Sequence, residues 1–292
     1  MGDGHITERA PAKLNLSLDV LGKLEGGYHA LKMVMESVEF GDEVEITLTS
    51  GGEITLESDL NWLPRDGRNL ACAAANVFRS ALGDESMGVR LRIVKRIPVG
   101  AGMGGGSSDA AAVLRGLNRL CGRPFDGDGL RKLGLSIGSD VPYCIQGGSR
   151  LATGRGEELS PLPMPPACTV VIAKPSFSIS TASLFSKIDG RSSRIHPDTA
   201  GLIAALEAGD LGGVSRRMFN VFEDVLPRSC REVGELRSTL LSCGAQGAVM
   251  TGTGSAVFGV FEARTDAEKA AVELKKLCRD VAVTGFVPEF EI

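Results

Sequence analysis

Pro98-Val99-Gly100-Ala101-Gly102-Met103-Gly104-Gly105-Gly106-Ser107-Ser108-Asp109-Ala110-Ala111-Ala112 is a glycine-dense stretch that passes through two hydroxyl residues and an aspartate into an alanine run. Glycine inside a regular element costs roughly 1 kcal/mol relative to alanine, so a cluster this dense points to a backbone that approaches a ligand closely. Before it, Val89–Ile97 alternates apolar and basic residues, the period of a strand with one buried and one wet face. After it, Ser107–Cys121 reads as a helix, with Ser107, Ser108 or Asp109 as a cap and Val113, Leu114 and Leu117 as an apolar stripe. The glycines therefore sit on a strand-to-helix connection. The N–H groups of such a helix start, reinforced by the helix dipole, suit a phosphate.

Gly100, Gly102 and Gly105 satisfy G-x-G-x-x-G, but a Rossmann unit also needs a doubly buried apolar strand before the glycines and a second strand ending in an acid after them. Here the preceding strand carries Arg90, Arg92, Lys95 and Arg96, and Gly122–Asp126 reads as a turn. No Gly-Lys-Ser or Gly-Lys-Thr occurs, which excludes a Walker A loop, and no Val-Ala-Ile-Lys strand or His-Arg-Asp loop follows, which excludes a protein kinase. A nucleotide-phosphate loop of another lineage remains.

With 292 residues, 43% of them hydrophobic, the chain can bury a large core in one large or two smaller domains. A net charge of −4 gives no electrostatic case for nucleic acid or a membrane surface as partner. The seven cysteines are scattered, with no C-x-x-C pair, and fit a reducing compartment. No apolar run reaches membrane-span length and Met1-Gly2-Asp3-Gly4-His5 lacks a leader pattern, so a cytoplasmic protein is expected.

Along the chain, Ile6–Leu21 reads as a strand, and Glu43–Thr49 and Glu53–Glu57 as an antiparallel hairpin across Ser50-Gly51-Gly52 with an acidic outer face. Asn69–Leu82 reads as a helix and Leu130–Leu135 as a short one. The prolines of Leu162–Pro166 mark a boundary near residue 165. Beyond it come a strand at Thr169–Ala173, helices around Ala200–Ala208 and Ser229–Ser242, and strands at Ala248–Met250 and Ala256–Phe261 flanking a second glycine turn, Thr251–Ser255. A helix at Asp266–Leu277 and a strand at Val281–Phe286 close the chain.

Phosphoryl transfer needs positioned phosphates, a cation against spreading charge and a group that orients or deprotonates the nucleophile. Lys13, in Pro11-Ala12-Lys13-Leu14-Asn15-Leu16, is a candidate cation, although alternation alone equally makes it a solvated residue on one polar face with Asn15 and Ser17. Asp140, in Gly138-Ser139-Asp140-Val141-Pro142, is a candidate base or simply a turn or cap aspartate.

The Pro11–Leu16 segment, the Pro98–Ala112 loop and the Thr251–Ser255 turn, in that order, resemble the three signature motifs of the GHMP kinase superfamily. Gly27-Tyr28-His29, Gly154-Arg155-Gly156-Glu157 and Ile179–Phe185 make the chain most similar to the branch whose acceptor is 4-diphosphocytidyl-2-C-methyl-D-erythritol, used in non-mevalonate isoprenoid synthesis. Ser139 stands where that branch more often has alanine. The resemblance implies an α+β, two-domain fold: a ribosomal-protein-S5-like domain with an antiparallel or mixed sheet over residues 1–165, and a ferredoxin-like α+β domain over 166–292. It implies ATP and magnesium as cofactors, a small-molecule substrate, Asp140 as general base and Lys13 as the stabilising cation. Asn15, Tyr28, His29, Asp140, Thr181 and Phe185 are then expected at the acceptor, with Tyr28 and Phe185 sandwiching the pyrimidine and His29 bonding its edge. Pro98, Gly100, Gly102, Gly104, Gly105, Gly106, Ser107 and Ser108 are expected around the ATP phosphates, Asn69 and Lys95 near the adenosine, and Ser108 helping to hold magnesium.

Overall fold

The computed structural model describes residues 4–191 and 195–292; Met1-Gly2-Asp3, part of the segment expected to carry no leader, lies outside the described residues. Two long antiparallel strands, β1 (His5–Lys23) and β2 (His29–Ser50), form the spine of the first sheet. Beside them run β3 (Ile54–Ser58), α1 (Leu70–Leu82), β4 (Met87–Val94), α2 (Gly105–Leu120), α3 (Gly127–Ile137), α4 (Val141–Gln146), β5 (Arg150–Thr153) and β6 (Glu158–Pro161). The rest of the chain forms β7 (Thr169–Lys174), α5 (Thr181–Asp189), α6 (Thr199–Glu207), α7 (Leu211–Ser215), β8 (Phe219–Asn220), α8 (Arg231–Ser242), β9 (Gly247–Met250), β10 (Val257–Phe261), α9 (Arg264–Leu274), β11 (Asp280–Thr284) and β12 (Phe286–Val287).

The first sheet runs β3-β4-β2-β1-β8, with β5 and β12 also pairing to β2 and β6 to β5. The hairpin expected between β2 and β3 does not form. Instead β4 lies between them, antiparallel to β2 and parallel to β3. Charge explains the insertion: Arg92 of β4 stands opposite Glu45 on one side and Glu57 on the other, and pairs with Glu45. A direct β2–β3 hairpin would have set two acidic faces side by side, which is unfavourable across strands. On its other face β4 buries Val89, Leu91 and Ile93.

The second sheet, β11-β7-β10-β9, is antiparallel throughout. Taking β7-α8-β9-β10-α9-β11 in chain order, the strands stand 4-1-3-2, which is the ferredoxin-like arrangement that was expected. The halves are interleaved: β8 pairs with β1 and β12 with β2, so residues beyond 165 complete the first sheet.

This interleaving overrides the one-sided reading of β1. Lys13, Asn15, Ser17 and Asp19 are all buried because the second half covers the face that alternation assigned to water. Register shifts at Pro11/Lys13 and Asn15/Ser17 re-aim the side chains between them. Ala12, Leu14 and Leu16 consequently join a core with Val170, Val249 and Phe258 of the second sheet, whereas Leu18 and Val20 face the core shared by α1 and α2.

Candidate active site

The glycine loop ends where α2 begins. Gly104 caps that helix in the left-handed region (φ 69°), and its first turn holds no acidic side chain among residues 105–108, so its N–H groups are open to an anion. The loop is held from two sides. Lys13 N donates to the Met103 carbonyl at 3.0 Å, joining it to β1, and Ala256 N donates to the Ala101 carbonyl at 3.1 Å, joining it to the second glycine turn. The two glycine turns touch backbone to backbone: a Cβ at Gly102 would overlap the Thr251 carbonyl oxygen, and one at Gly252 would overlap the Gly102 carbonyl.

Lys13 Nζ donates to Asn15 Oδ1 at 2.8 Å and stands 3.9 Å from Asp140 Oδ2. The lysine side chain is 6% exposed, which removes the solvated-edge reading. Asp140 occupies the N-cap position of α4 yet makes no side-chain cap bond, so the cap reading fails too. Its carboxylate, 34% exposed, faces a cavity of about 600 Å³. Gly102, Gly104, Tyr28, His29, Thr181 and Phe185 border the same cavity, so most of the expected acceptor residues meet beside the start of α2. Thr181 Oγ1 and Thr253 Oγ1 share a hydrogen bond at 2.9 Å, linking α5 to the second glycine turn.

Several expected residues take other places. Asn15 is fully buried behind Lys13, where its Oδ1 accepts from Gly252 N at 3.0 Å as well as from the lysine. It fixes the geometry of the site and does not line the cavity. Ser108 is 1% exposed and gives its hydroxyl to the Pro11 carbonyl at 2.6 Å, so the oxygen expected to help hold magnesium is turned into the fold. Lys95 lies beneath the loop, its buried ammonium bonded to Asp42 and, at 2.6 Å, to Asp109. Burial raises the Asp109 carboxyl above the usual range, and the Lys95 ammonium opposes that shift. Asn69 caps α1, accepting from Ala71 N at 3.0 Å and donating to the Pro64 carbonyl at 3.0 Å. In the loop Pro98 is half-buried and Gly100 exposed; Gly106 is exposed in the first turn of α2, and a Cβ at Gly105 would crowd the Ile97 side chain at 3.1 Å. Ser107 is half-buried at the helix start and makes no side-chain hydrogen bond among the described residues.

The aromatic end also differs from the expected sandwich. Phe185 stacks on His29, with centroids 4.4 Å apart, and meets Phe222 edge-on at 5.0 Å. Tyr28 is instead an exposed ring with the Arg155 guanidinium over one face at 4.7 Å. His29 Nε2 is bonded to Asp189 at 2.9 Å, and His29 and Lys23 together hold that carboxyl below the usual range. Arg155, Asp189, Thr253 and Asn220 were not among the residues expected at the site. Arg155 and Thr253 lay in glycine motifs that carried the resemblance without being given a role; Asp189 had no signal, nor had Asn220, which donates to the Met250 and Gly252 carbonyls at 2.7 and 2.8 Å.

Comparison with known proteins bears on the family and the fold. The model of the GHMP kinases N terminal domain matches residues 69–148 and that of the GHMP kinases C terminal region residues 202–280, which sets the class. Among relatives, 4-diphosphocytidyl-2-C-methyl-D-erythritol kinase of Exiguobacterium sibiricum is 40% identical over 97% of this chain and 99% of its own, and that of Bacillus subtilis 39% identical over 97% and 98%. A crystal structure of 4-(cytidine 5'-diphospho)-2C-methyl-D-erythritol kinase superposes with a TM-score of 0.81 at 31% identity, covering 96% of this chain and 99% of that one. The homoserine kinase of Cytophaga hutchinsonii, at 21% identity and a TM-score of 0.76 over 98% and 95% of the two chains, shares the fold. The chain belongs to the 4-diphosphocytidyl-2-C-methyl-D-erythritol kinase family of GHMP kinases. Among the described residues, no helix is long and apolar enough to cross a membrane.

Proposed function

We infer that the protein transfers the γ-phosphoryl group of ATP to the 2-hydroxyl of 4-diphosphocytidyl-2-C-methyl-D-erythritol. The observation that carries this reading is the meeting of Lys13, Asp140 and the start of α2 in one cavity whose far wall is His29, Phe185 and Tyr28. The ATP phosphates lie over the α2 N-terminus and the loop Gly102–Ser107, where N–H groups and the helix dipole oppose their charge. Asp140 takes the proton of the acceptor hydroxyl as its oxygen bonds to the γ-phosphorus, and the bond to the ADP oxygen breaks. Lys13, fixed by Asn15, stands beside both the carboxylate and the phosphoryl path and stabilises the negative charge that spreads over the transferring group.

Magnesium fits this donor set as an ion carried mainly by phosphates and water, since no group of three His, Cys, Asp or Glu side chains converges among the described residues. Ser107 rather than Ser108 presents a hydroxyl at the helix start. When bound, the metal supplies charge neutralisation between the phosphates. We further propose a division of the chain at residue 165 and a cytoplasmic location, which seven free cysteines support.

The test is Asp140→Asn assayed with labelled ATP and the cytidyl acceptor. Turnover should fall about 10²–10⁴-fold with ATP binding retained. An unchanged rate would remove Asp140 from the mechanism. A panel including mevalonate, homoserine and sugars, in which only another acceptor is phosphorylated, would overturn the substrate.

A further inference from the structure

We propose that Arg155 is the cation that recognises the diphosphate of the acceptor, and hence a specificity-determining residue of this site; the proposal rests on the acceptor named above. Arg155 sits in the turn between β5 and β6, anchored to Glu157 through its backbone N–H and through Nε at 3.2 Å. Its terminal guanidinium nitrogens make no hydrogen bond among the described residues, and its side chain, 35% exposed, borders the cavity. A bidentate donor with one edge braced and the other edge open is the geometry that phosphate oxygens match.

Two observations bear on its position. The guanidinium lies over Tyr28, at the end of the cavity where the pyrimidine is placed. Its side chain also lines the same cavity as Lys13 and Asp140, the residues of the phosphoryl end. Arg155 therefore borders the cavity that joins the base end to the phosphoryl end, which the diphosphate must cross.

Charge points the same way. Of the cavity's other charged groups, Lys13 faces Asp140, and Asp189 is engaged by Lys23 and His29. A diphosphate entering past two carboxylates needs a cation, and the open edge of Arg155 supplies it.

The experiment is calorimetric titration of the intact protein with cytidine and with CDP, the ATP site being filled by an inert ATP analogue with magnesium. The parent should bind CDP about tenfold more tightly than cytidine, as a charge-assisted hydrogen bond allows. In Arg155→Gln that preference should vanish with cytidine affinity held within about twofold, and Arg155→Lys should recover part of it. If Arg155→Gln keeps the preference, or weakens both ligands by one factor because the guanidinium only braces Tyr28, the proposal is overturned. If the parent binds neither ligand, the acceptor assignment itself falls.

Discussion

Asn15 shows how a single amide can govern a reaction that it does not touch. Its oxygen accepts from the ammonium of Lys13 and from the backbone of Gly252, so it sets the distance between the cation and the second glycine turn. Asn15→Leu should therefore cost about 1–3 kcal/mol or more in a denaturant titration, because the Lys13 ammonium, Gly252 N–H and Thr251 hydroxyl lose their shared acceptor, and should also lower kcat. Gly102 is a second such position. Its φ of 76° and its contact with the Thr251 carbonyl leave no room for a Cβ, so Gly102→Ala should abolish measurable ATP binding in a fluorescence titration. Gly122 has a φ of 78° but nothing within 4 Å, and Gly122→Ala should cost only about 1–2 kcal/mol with ATP binding retained. Residue types made the glycines legible as a phosphate loop, whereas Lys13 and Asp140 stayed ambiguous until the family resemblance singled them out. The inward turn of Ser108, the paired Lys95 and the supporting place of Asn15 were not legible, because each depends on a partner distant in sequence: Asp42 for the lysine, Gly252 for the amide.

At the scale of elements, the position of β4 was the main departure from the sequence reading. Alternation located β3, β4 and only the last part of β2, from Glu43 on, but pairing is decided by which faces tolerate one another, and a short glycine connection between two strands does not force them to pair. The basic face of β4 between two acidic ones gives a direct test. Arg92→Glu would set like charges between Glu45 and Glu57, and should lower stability by about 1 kcal/mol at low salt, with the loss shrinking as salt is added. A melting curve at two ionic strengths measures it. The ferredoxin-like order of the second sheet was accessible only through the family resemblance; alternation located its strands but not their order. The burial of β1 on both faces was not, because the covering elements come from the other half of the chain.

Across the whole molecule, the core contains a carboxyl that ties stability to pH. Glu36 is fully buried, accepts from Ser149 Oγ at 2.7 Å through one oxygen only, and burial pushes it up from 4.5 to about 8. Between those values the folded chain keeps a proton that the unfolded chain releases, so the contribution of this group to stability falls as pH rises through the window. Glu36→Gln should remove that fall: the variant should gain stability over the parent between pH 5 and 8, read from denaturant midpoints. The interlocked glycine turns have a consequence for how the protein is made. The floor under the phosphate loop lies near the end of the chain, as do Phe222 and Thr253 of the acceptor cavity. A nascent chain that has left the ribosome only as far as the glycine loop thus carries a phosphate-binding turn without the surface that holds it in place. The site is complete only once residues through Gly254 have emerged, so the phosphate turn and the acceptor pocket depend on the same late-made segment.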